Sequence, residues 1–326
     1  MSGRVRALPR EALLAAVIAA LCALVAMRFP GFVAPANLAG VLNDTAPLIL
    51  LALGQMAVIM ARAIDLSVAA VLALAGMVAA LLDGIGLPLA AVVAAAILLG
   101  AVLGAVNGLL VWKAQIPPIV VTLGTMTIYR GTIFLLSGGK WVNAHEMSVP
   151  FKAMPRAVIL GLPVMTWIAL AAIAAMAVLV RRSGFGRSLL AVGGNPDAAV
   201  YAGIDPGRVR CLAYVLSGAL AGLTGYLWVA RYAVAYVDIA GGFELDVVAA
   251  CVIGGISIAG GIGSVGGAVM GALFIGVIKN ALPVIGVSPF WQMAITGAAI
   301  IAAVAVNARA RRGRGRLILV PQRATP

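Results

Sequence analysis

Residues 88–112 read PLAAVVAAAILLGAVLGAVNGLLVW, a stretch without a single charge and with one amide, Asn107, as its strongest polar group. A helix crossing the roughly 30 Å hydrocarbon core of a bilayer needs about 20 largely apolar residues, so this stretch predicts a transmembrane helix. Similar runs on either side place further spans at 12–28, 46–63, 66–83, 119–136, 157–180, 211–230, 246–259, 264–282 and 289–307. The expectation is an all-α, polytopic membrane protein of about ten transmembrane helices, a single membrane domain over residues 1–326. The spans that meet at Asp65 and at Gly260-Gly261 are joined so tightly that one member of each pair is a candidate broken or re-entrant helix, a form tolerated only where it faces protein or a water-filled cavity.

Composition agrees. Of 326 residues 63% are hydrophobic and 10% charged, with a mean hydropathy of +1.13, whereas soluble domains carry about a quarter charged residues. The formal charge of +13 invites a nucleic-acid reading, but the basic residues sit beside apolar runs and are better read as topology signals, so no nucleic-acid partner is expected. Ten spans put both ends on one side. That side collects fifteen basic residues: Arg4, Arg6, Arg10, Lys113, the arginines at 181, 182, 187, 208 and 210, and those at 309, 311, 312, 314, 316 and 323. The other side has Arg28, Lys140, Lys152, Arg156 and Arg231, while Arg62, Arg130 and Lys279 lie in or beside spans. The positive-inside rule then predicts cytoplasmic termini, with a basic cytoplasmic tail over 308–326. The arginines ahead of Ala12–Met27 also suit a signal peptide with Ala34-Pro35-Ala36 as a poor cleavage site; a retained first helix is expected.

Several motifs lead nowhere. Cys22, Cys211 and Cys251 are odd in number and widely spaced, so neither a disulfide framework nor a metal site is indicated, and His145 is the only histidine. Gly261-Ile262-Gly263-Ser264-Val265-Gly266 matches GxGxxG without the preceding strand or following acid of a dinucleotide site. Leu136-Ser137-Gly138-Gly139-Lys140 resembles the signature of ABC ATPases, yet no Walker A sequence exists in the chain, so any ATP hydrolysis belongs to another subunit and no bound cofactor is expected. No enzyme chemistry is indicated.

Other features carry more. Gly100, Gly104 and Gly108, Gly218 with Gly222, and Gly267 with Gly271 repeat every four residues, which lays a flat stripe on one helix face and lets backbones approach. Polar and ionisable groups at membrane depth mark candidate solute-path or gating residues: Asp65, Asn107, Thr122, Thr125 and Arg130. Asp65 is well placed to cap the helix that follows it, the amide and hydroxyls to bond another helix, and Arg130 to pair with a carboxylate, cap carbonyls, snorkel to the outer surface or line a path. Two connections exceed a turn, a periplasmic loop over 137–156 and a cytoplasmic loop over 181–210. The second contains Asn195-Pro196-Asp197-Ala198-Ala199-Val200-Tyr201-Ala202-Gly203: an N-cap residue, Pro at the first helical position, an early acid and Gly at the stop, which predicts a two-turn surface helix.

The order of motifs resembles the permease subunits of ABC importers for ribose, rhamnose and related sugars, including autoinducer-2. The resemblance runs through Ile64-Asp65-Leu66-Ser67-Val68, Asn107-Gly108-Leu109-Leu110-Val111, Pro117-Pro118-Ile119-Val120-Val121-Thr122-Leu123-Gly124-Thr125, Arg130-Gly131, Phe185-Gly186-Arg187, Ala191-Val192-Gly193-Gly194-Asn195, Val252-Ile253-Gly254-Gly255-Ile256-Ser257 and the glycine-rich 260–266. It implies an inner-membrane permease, a second permease subunit as a homo- or heterodimer, ABC ATPase subunits in the cytoplasm and a periplasmic solute-binding protein. It also implies that Gly193, Asn195, Pro196, Asp197, Ala198, Ala199 and Gly203 belong to the coupling helix that docks on the ATPase. Members often have Gly flanking the Ile-Asp-Leu-Ser-Val core where this chain has Ala63 and Ala69, which narrows backbone freedom at that turn. Trp141 is similar to the autoinducer-2 branch. The nearest alternative is a branched-chain amino-acid permease; a secondary transporter lacks support from an internal repeat or buried carboxylate cluster.

Overall fold

A computed structural model of the chain describes residues 10–288 together with 291, 294, 297 and 298. The apolar runs form α1 (Arg10–Arg28), α2 (Pro35–Met60), α3 (Val68–Gly84), α4 (Leu89–Trp112) and α5 (Pro118–Ser137). A connecting segment holds β1 (Val142–Asn143), the short α6 (Val149–Ala153) and a hairpin of β2 (Val158–Ile159) and β3 (Leu162–Pro163). Then come α7 (Val164–Arg182), α8 (Gly184–Gly194), α9 (Pro196–Tyr201), α10 (Pro206–Tyr232), β4 (Val234–Ala235), α11 (Phe243–Ile253) and α12 (Val265–Val284). Seven helices, α1, α2, α4, α5, α7, α10 and α12, are long and apolar enough to cross a membrane, and α3 adds a shorter apolar helix. The chain is therefore an all-α polytopic membrane protein. The span read at 289–307 and the tail at 308–326 lie outside the described residues, apart from 291, 294, 297 and 298.

Three boundaries differ most from the sequence reading, each for a physical reason. The second helix starts at Pro35 rather than near 46, because the polar residues that look like a break are satisfied by neighbours: Asp44 pairs with Arg231 of α10, and Asn43 accepts from Thr166 of α7 at 3.5 Å. The α7 helix starts at Val164 rather than 157, since Leu160 and Gly161 take φ of 51° and 80° and turn the apolar Val158 and Ile159 into a two-residue hairpin. The span read at 246–259 is an eleven-residue helix ending at Ile253. At 1.5 Å per residue it covers about 16 Å, roughly half the hydrocarbon core, so this is a broken helix with irregular backbone at both ends.

At the centre stands α2, buried at every position from Thr45 to Met60. It is flanked by α10, α12 and α7, and α10 in turn packs along α4 and α3. The glycine stripes explain how closely α4 and α10 lie. A Cβ on Gly100 would fall 2.1 Å from the Gly218 carbonyl oxygen, and one on Gly104 would fall 2.2 Å from that of Tyr214. In α12, Gly271 meets the Ala250 carbonyl of α11 in the same way, at 1.9 Å. No hydrophobic drive separates helix from lipid here, so this interlocking of backbones is what holds the helices together.

The end of the bundle carrying residues 137–163 is tied down by polar bonds. Asp83, at the end of α3, accepts from the Ser148 amide and hydroxyl, both at 2.7 Å. The Tyr226 hydroxyl donates to the Phe151 carbonyl at 3.2 Å, and Arg156 donates to the carbonyl of Arg231. The β1 strand pairs antiparallel with β4, placing Val142 opposite Ala235. The loop read at 137–156 is thus an ordered cap that extends to residue 163.

Backbone contact at these glycines gives a direct test. Gly100→Ala places a methyl group against a carbonyl that cannot yield and is expected to cost about 1–3 kcal/mol, lowering the thermal midpoint of the detergent-solubilised protein. Gly40→Ala, where a Cβ meets nothing within 4 Å, is expected to be neutral or to stabilise by up to about 1 kcal/mol through helix propensity. Equal behaviour of the two variants contradicts the packing account.

Candidate functional site

Between α2 and α3 the chain unwinds over residues 61–67, and polar residues of four helices, α2, α4, α5 and α10, converge on this break. Asp65 is 1% exposed, and Ser67, Asn107 and Thr122 are wholly buried. The Asp65 carboxylate accepts from the Ser67 amide at 3.0 Å, from the Ser67 hydroxyl at 2.6 Å and from the Ser217 hydroxyl of α10 at 3.3 Å. Asn107 of α4 donates to the Ser67 hydroxyl at 2.8 Å. The hydroxyl of Tyr129, on α5, donates to the Leu103 carbonyl at 3.0 Å and lies 3.4 Å from the Asn107 side-chain oxygen.

The same cluster satisfies the backbone of the break. Tyr214 of α10 donates to the Ile64 carbonyl at 3.1 Å, and the Gln55 amide lies 3.2 Å from both the NH and the carbonyl of Asp65, bonding both when its oxygen is assigned to the NH and its nitrogen to the carbonyl. Arg210 donates to the Ala61 carbonyl at 3.0 Å. Ser67, rather than Asp65, occupies the N-cap position of α3. Asp65 sits two residues earlier and captures the Ser67 NH in a local side-chain turn, the alternative that a short acid always offers the backbone. Thr122 bonds the Pro118 carbonyl of its own helix at 3.0 Å with the Ile64 carbonyl 3.5 Å away, and Thr125 bonds the Thr122 carbonyl at 3.4 Å. Asp65, Asn107, Thr122 and Thr125 are therefore brought together.

Arg130 is not part of that group. Its guanidinium donates from one nitrogen to the carbonyls of Val237 and Ile239, each at 2.7 Å. These carbonyls belong to the irregular segment between β4 and α11. Of the roles open to Arg130 in the sequence, the geometry places it as a cap on backbone that has no helix of its own.

At the other end of α8 and α9 the predicted surface helix is present. Asn195 accepts from the Asp197 NH at 3.0 Å and from the Ala198 NH at 3.1 Å, with Pro196 at the first helical position. Gly203, at φ 77°, closes it, and the Ile204 NH returns to the Ala199 carbonyl at 2.9 Å. Ala199 is buried, while Asp197 and Ala198 are exposed and Val200 and Tyr201 project outward at 57% and 93% exposure. Gly193 packs so closely that a Cβ would fall 1.9 Å from the Met60 carbonyl oxygen, which itself accepts from the Gly261 NH at 3.1 Å.

Sequence reading missed several partners. Ser217, Tyr129, Tyr214 and Gln55 carry no motif, and only their shared burial around Asp65 reveals them, while Ser67 lies in the 64–68 motif without being singled out. It also missed α8, whose glycines at 184, 186, 193 and 194 argue against a helix; the signal was Ser183, which N-caps it by accepting from the Gly186 NH at 3.1 Å. Among the described residues no group of His, Cys, Asp or Glu is arranged to hold a metal ion.

The chain is thus a bundle of apolar helices with a polar break at its core, joined to a capped helix pair on one face. The chain belongs to the family of permease components of branched-chain amino acid transport systems, whose model matches residues 37–304. It is 36% identical over 278 residues to the ribose import permease protein of Bacillus subtilis, covering 85% of this chain and 86% of that one. It is likewise 36% identical over 301 residues to the autoinducer 2 import system permease protein of Klebsiella pneumoniae, covering 92% and 87%. The L-arabinose transport system permease protein of Escherichia coli is 37% identical over 199 residues, 61% of this chain and 60% of that one. No solved structure matches the chain.

The cluster predicts how Asp65 tolerates change. Among the described residues no basic side chain bonds its carboxylate, so an amide of the same shape can accept from Ser67 with one end and donate to Ser217 with the other. Asp65→Asn is expected to fold within about 1 kcal/mol of wild type, and Asp65→Ala, which strands three buried donors, to lose about 2–4 kcal/mol. Thermal unfolding of the two variants side by side checks this; an Asn variant as damaged as the Ala variant contradicts the account.

Proposed function

We propose that this chain is the membrane-spanning permease subunit of an ABC importer in the cell inner membrane and forms the path for a small sugar or sugar-like solute delivered by a periplasmic binding protein. The observation that carries the reading is the α9 helix: capped at both ends, seated through Ala199, and presenting Asp197, Val200 and Tyr201 outward. Isolated helices of this length are marginal in water, so a two-turn helix built this firmly on a membrane protein's surface supports a docking role. Separate ATPase subunits take it as the coupling helix, a second permease subunit completes the path, and no ATP is hydrolysed by this chain.

The finer topology follows the charges: ten passes with α3 and the broken α11 counted among them, both termini and the 181–210 loop in the cytoplasm, and the ordered 137–163 cap in the periplasm. Relatives named for ribose, autoinducer 2 and L-arabinose favour a sugar-like cargo over a branched-chain amino acid, the cargo in the family's description. The enclosed Asp65 cluster suits gating better than direct solute contact, because Asp65, Asn107, Thr122 and Thr125 spend their bonds on protein groups. ATP-driven closure of the ATPases would move α9 and shift the bundle between outward and inward forms, a population shift set by differential binding.

The test is assembly. Deleting residues 196–202 is expected to abolish co-purification of the ATPase with tagged permease while the permease stays in the membrane at wild-type level. Tyr201→Ala should weaken recovery by about 1–2 kcal/mol, roughly 5- to 30-fold in affinity, as for a typical aromatic anchor. Full ATPase recovery with the deletion variant rules the docking role out.

A further inference from the structure

The docking helix lies on the surface and the Asp65 break lies inside, so something must connect them. The structure assigns that connection to Arg62, which we propose is the positioning residue that carries movement of α9 into the α2–α3 break. This inference rests on the reading of α9 as the ATPase-docking helix.

Arg62 lies three residues before Asp65 and just after the end of α2. Its Nε donates to the Gly193 carbonyl at 2.8 Å and its Nη2 to the Gly194 carbonyl at 2.8 Å. These are the last two carbonyls of α8, immediately ahead of Asn195, the cap of α9. Helix ends leave such carbonyls without partners, and bonds from a charged donor are about twice as strong as neutral ones. One planar guanidinium gripping two successive carbonyls fixes direction as well as distance. A push on α9 therefore reaches Arg62 through one residue of chain.

Two further observations make the contact a built junction rather than a surface side chain at rest. The Arg62 backbone takes φ 62°, the left-handed region in which a side chain is disfavoured and which persists only when the surroundings enforce it. If the turn alone mattered, glycine would serve there. Beneath the side chain, Gly260 at φ 84° has no Cβ; one would fall 2.3 Å from the Arg62 Cγ. With Gly193 against the Met60 carbonyl, the end of α2, the end of α8 and the 260–261 turn meet at backbone contact.

From Arg62 the path inward is short and stiff. The Ala63 NH bonds the Val58 carbonyl at 3.1 Å, and the next two residues are held by Tyr214, Gln55, Ser67 and Ser217. A competing route runs from α9 into α10 and through Arg210 to the Ala61 carbonyl. With Tyr214 and Ser217 on the same helix, that route also reaches Ile64 and Asp65, but it bypasses α8 and Arg62, so a response at 61–67 that survives loss of the Arg62 guanidinium belongs to it.

The test uses the full permease–ATPase complex, with hydrogen exchange read before and after trapping by Mg-ATP and orthovanadate. In wild type both 195–203 and 61–67 should change on trapping. In Arg62→Gln the change at 195–203 is expected to remain while that at 61–67 is lost, and Arg62→Lys, which reaches one carbonyl at a time, should retain part of it. A merely structural role would not separate the two segments. A wild-type-sized response at 61–67 in Arg62→Gln overturns the inference; if that variant fails to assemble, an undiminished response in Arg62→Lys does so. Absence of a response at 195–203 in wild type removes the docking reading itself, whereas a response there without one at 61–67 removes only the Arg62 connection.

Discussion

Every backbone NH and carbonyl that leaves helical geometry inside a membrane bundle must find a partner in the protein, because hydrocarbon offers none. The stretch from Met60 to Ser67 meets that constraint with partners drawn from several elements. Gly261 bonds the Met60 carbonyl, Arg210 that of Ala61, Tyr214 that of Ile64, and Gln55 both polar groups of Asp65. The side chains that do so come from α2 and α10, and the adjoining carboxylate draws in Ser67, Ser217 and, through Ser67, Asn107 of α4. A break satisfied this way is not loose. It joins the central helices, and it can rearrange only if several elements move together, which suits a gate.

The same constraint governs the second irregular region. Either side of the short α11 the chain is non-helical, and Arg130 supplies donors for Val237 and Ile239 on one side while the 260–261 turn bonds Met60 on the other. Helix packing then has to bring these groups within reach. The contacts of Gly100 with Gly218 and of Gly271 with Ala250 do this by removing side chains from the interface. Polar bonds shape the breaks, and absent side chains set the distances between helices.

Much of this was legible in the sequence because the signals are local. Apolar length without charge marks the spans, and the cap residues Asn195, Pro196 and Gly203 mark α9 to within a residue. The four-residue glycine spacings mark the interlocked faces. What was not legible depends on partners distant in sequence. Asn43 and Asp44 look like a helix boundary until Thr166 and Arg231 are seen to satisfy them, so α2 reads too short. Asp65 reads as a cap, since nothing local shows that Ser217, about 150 residues on, shares its carboxylate. Arg62 reads as one more basic residue at a span edge, because its partners are backbone carbonyls of glycines 131 and 132 residues away.

On the proposed function, this bundle moves solute only when ATP is turned over by subunits docked on α9. The most direct measurement is uptake into proteoliposomes holding the permease–ATPase complex, with the binding protein outside and a panel of radiolabelled pentoses, deoxysugars and autoinducer-2 as cargo. The account predicts accumulation of one such solute that requires ATP on the α9 side and the binding protein on the other. Uptake driven by an ion gradient without ATP, or by the permease alone, would contradict it.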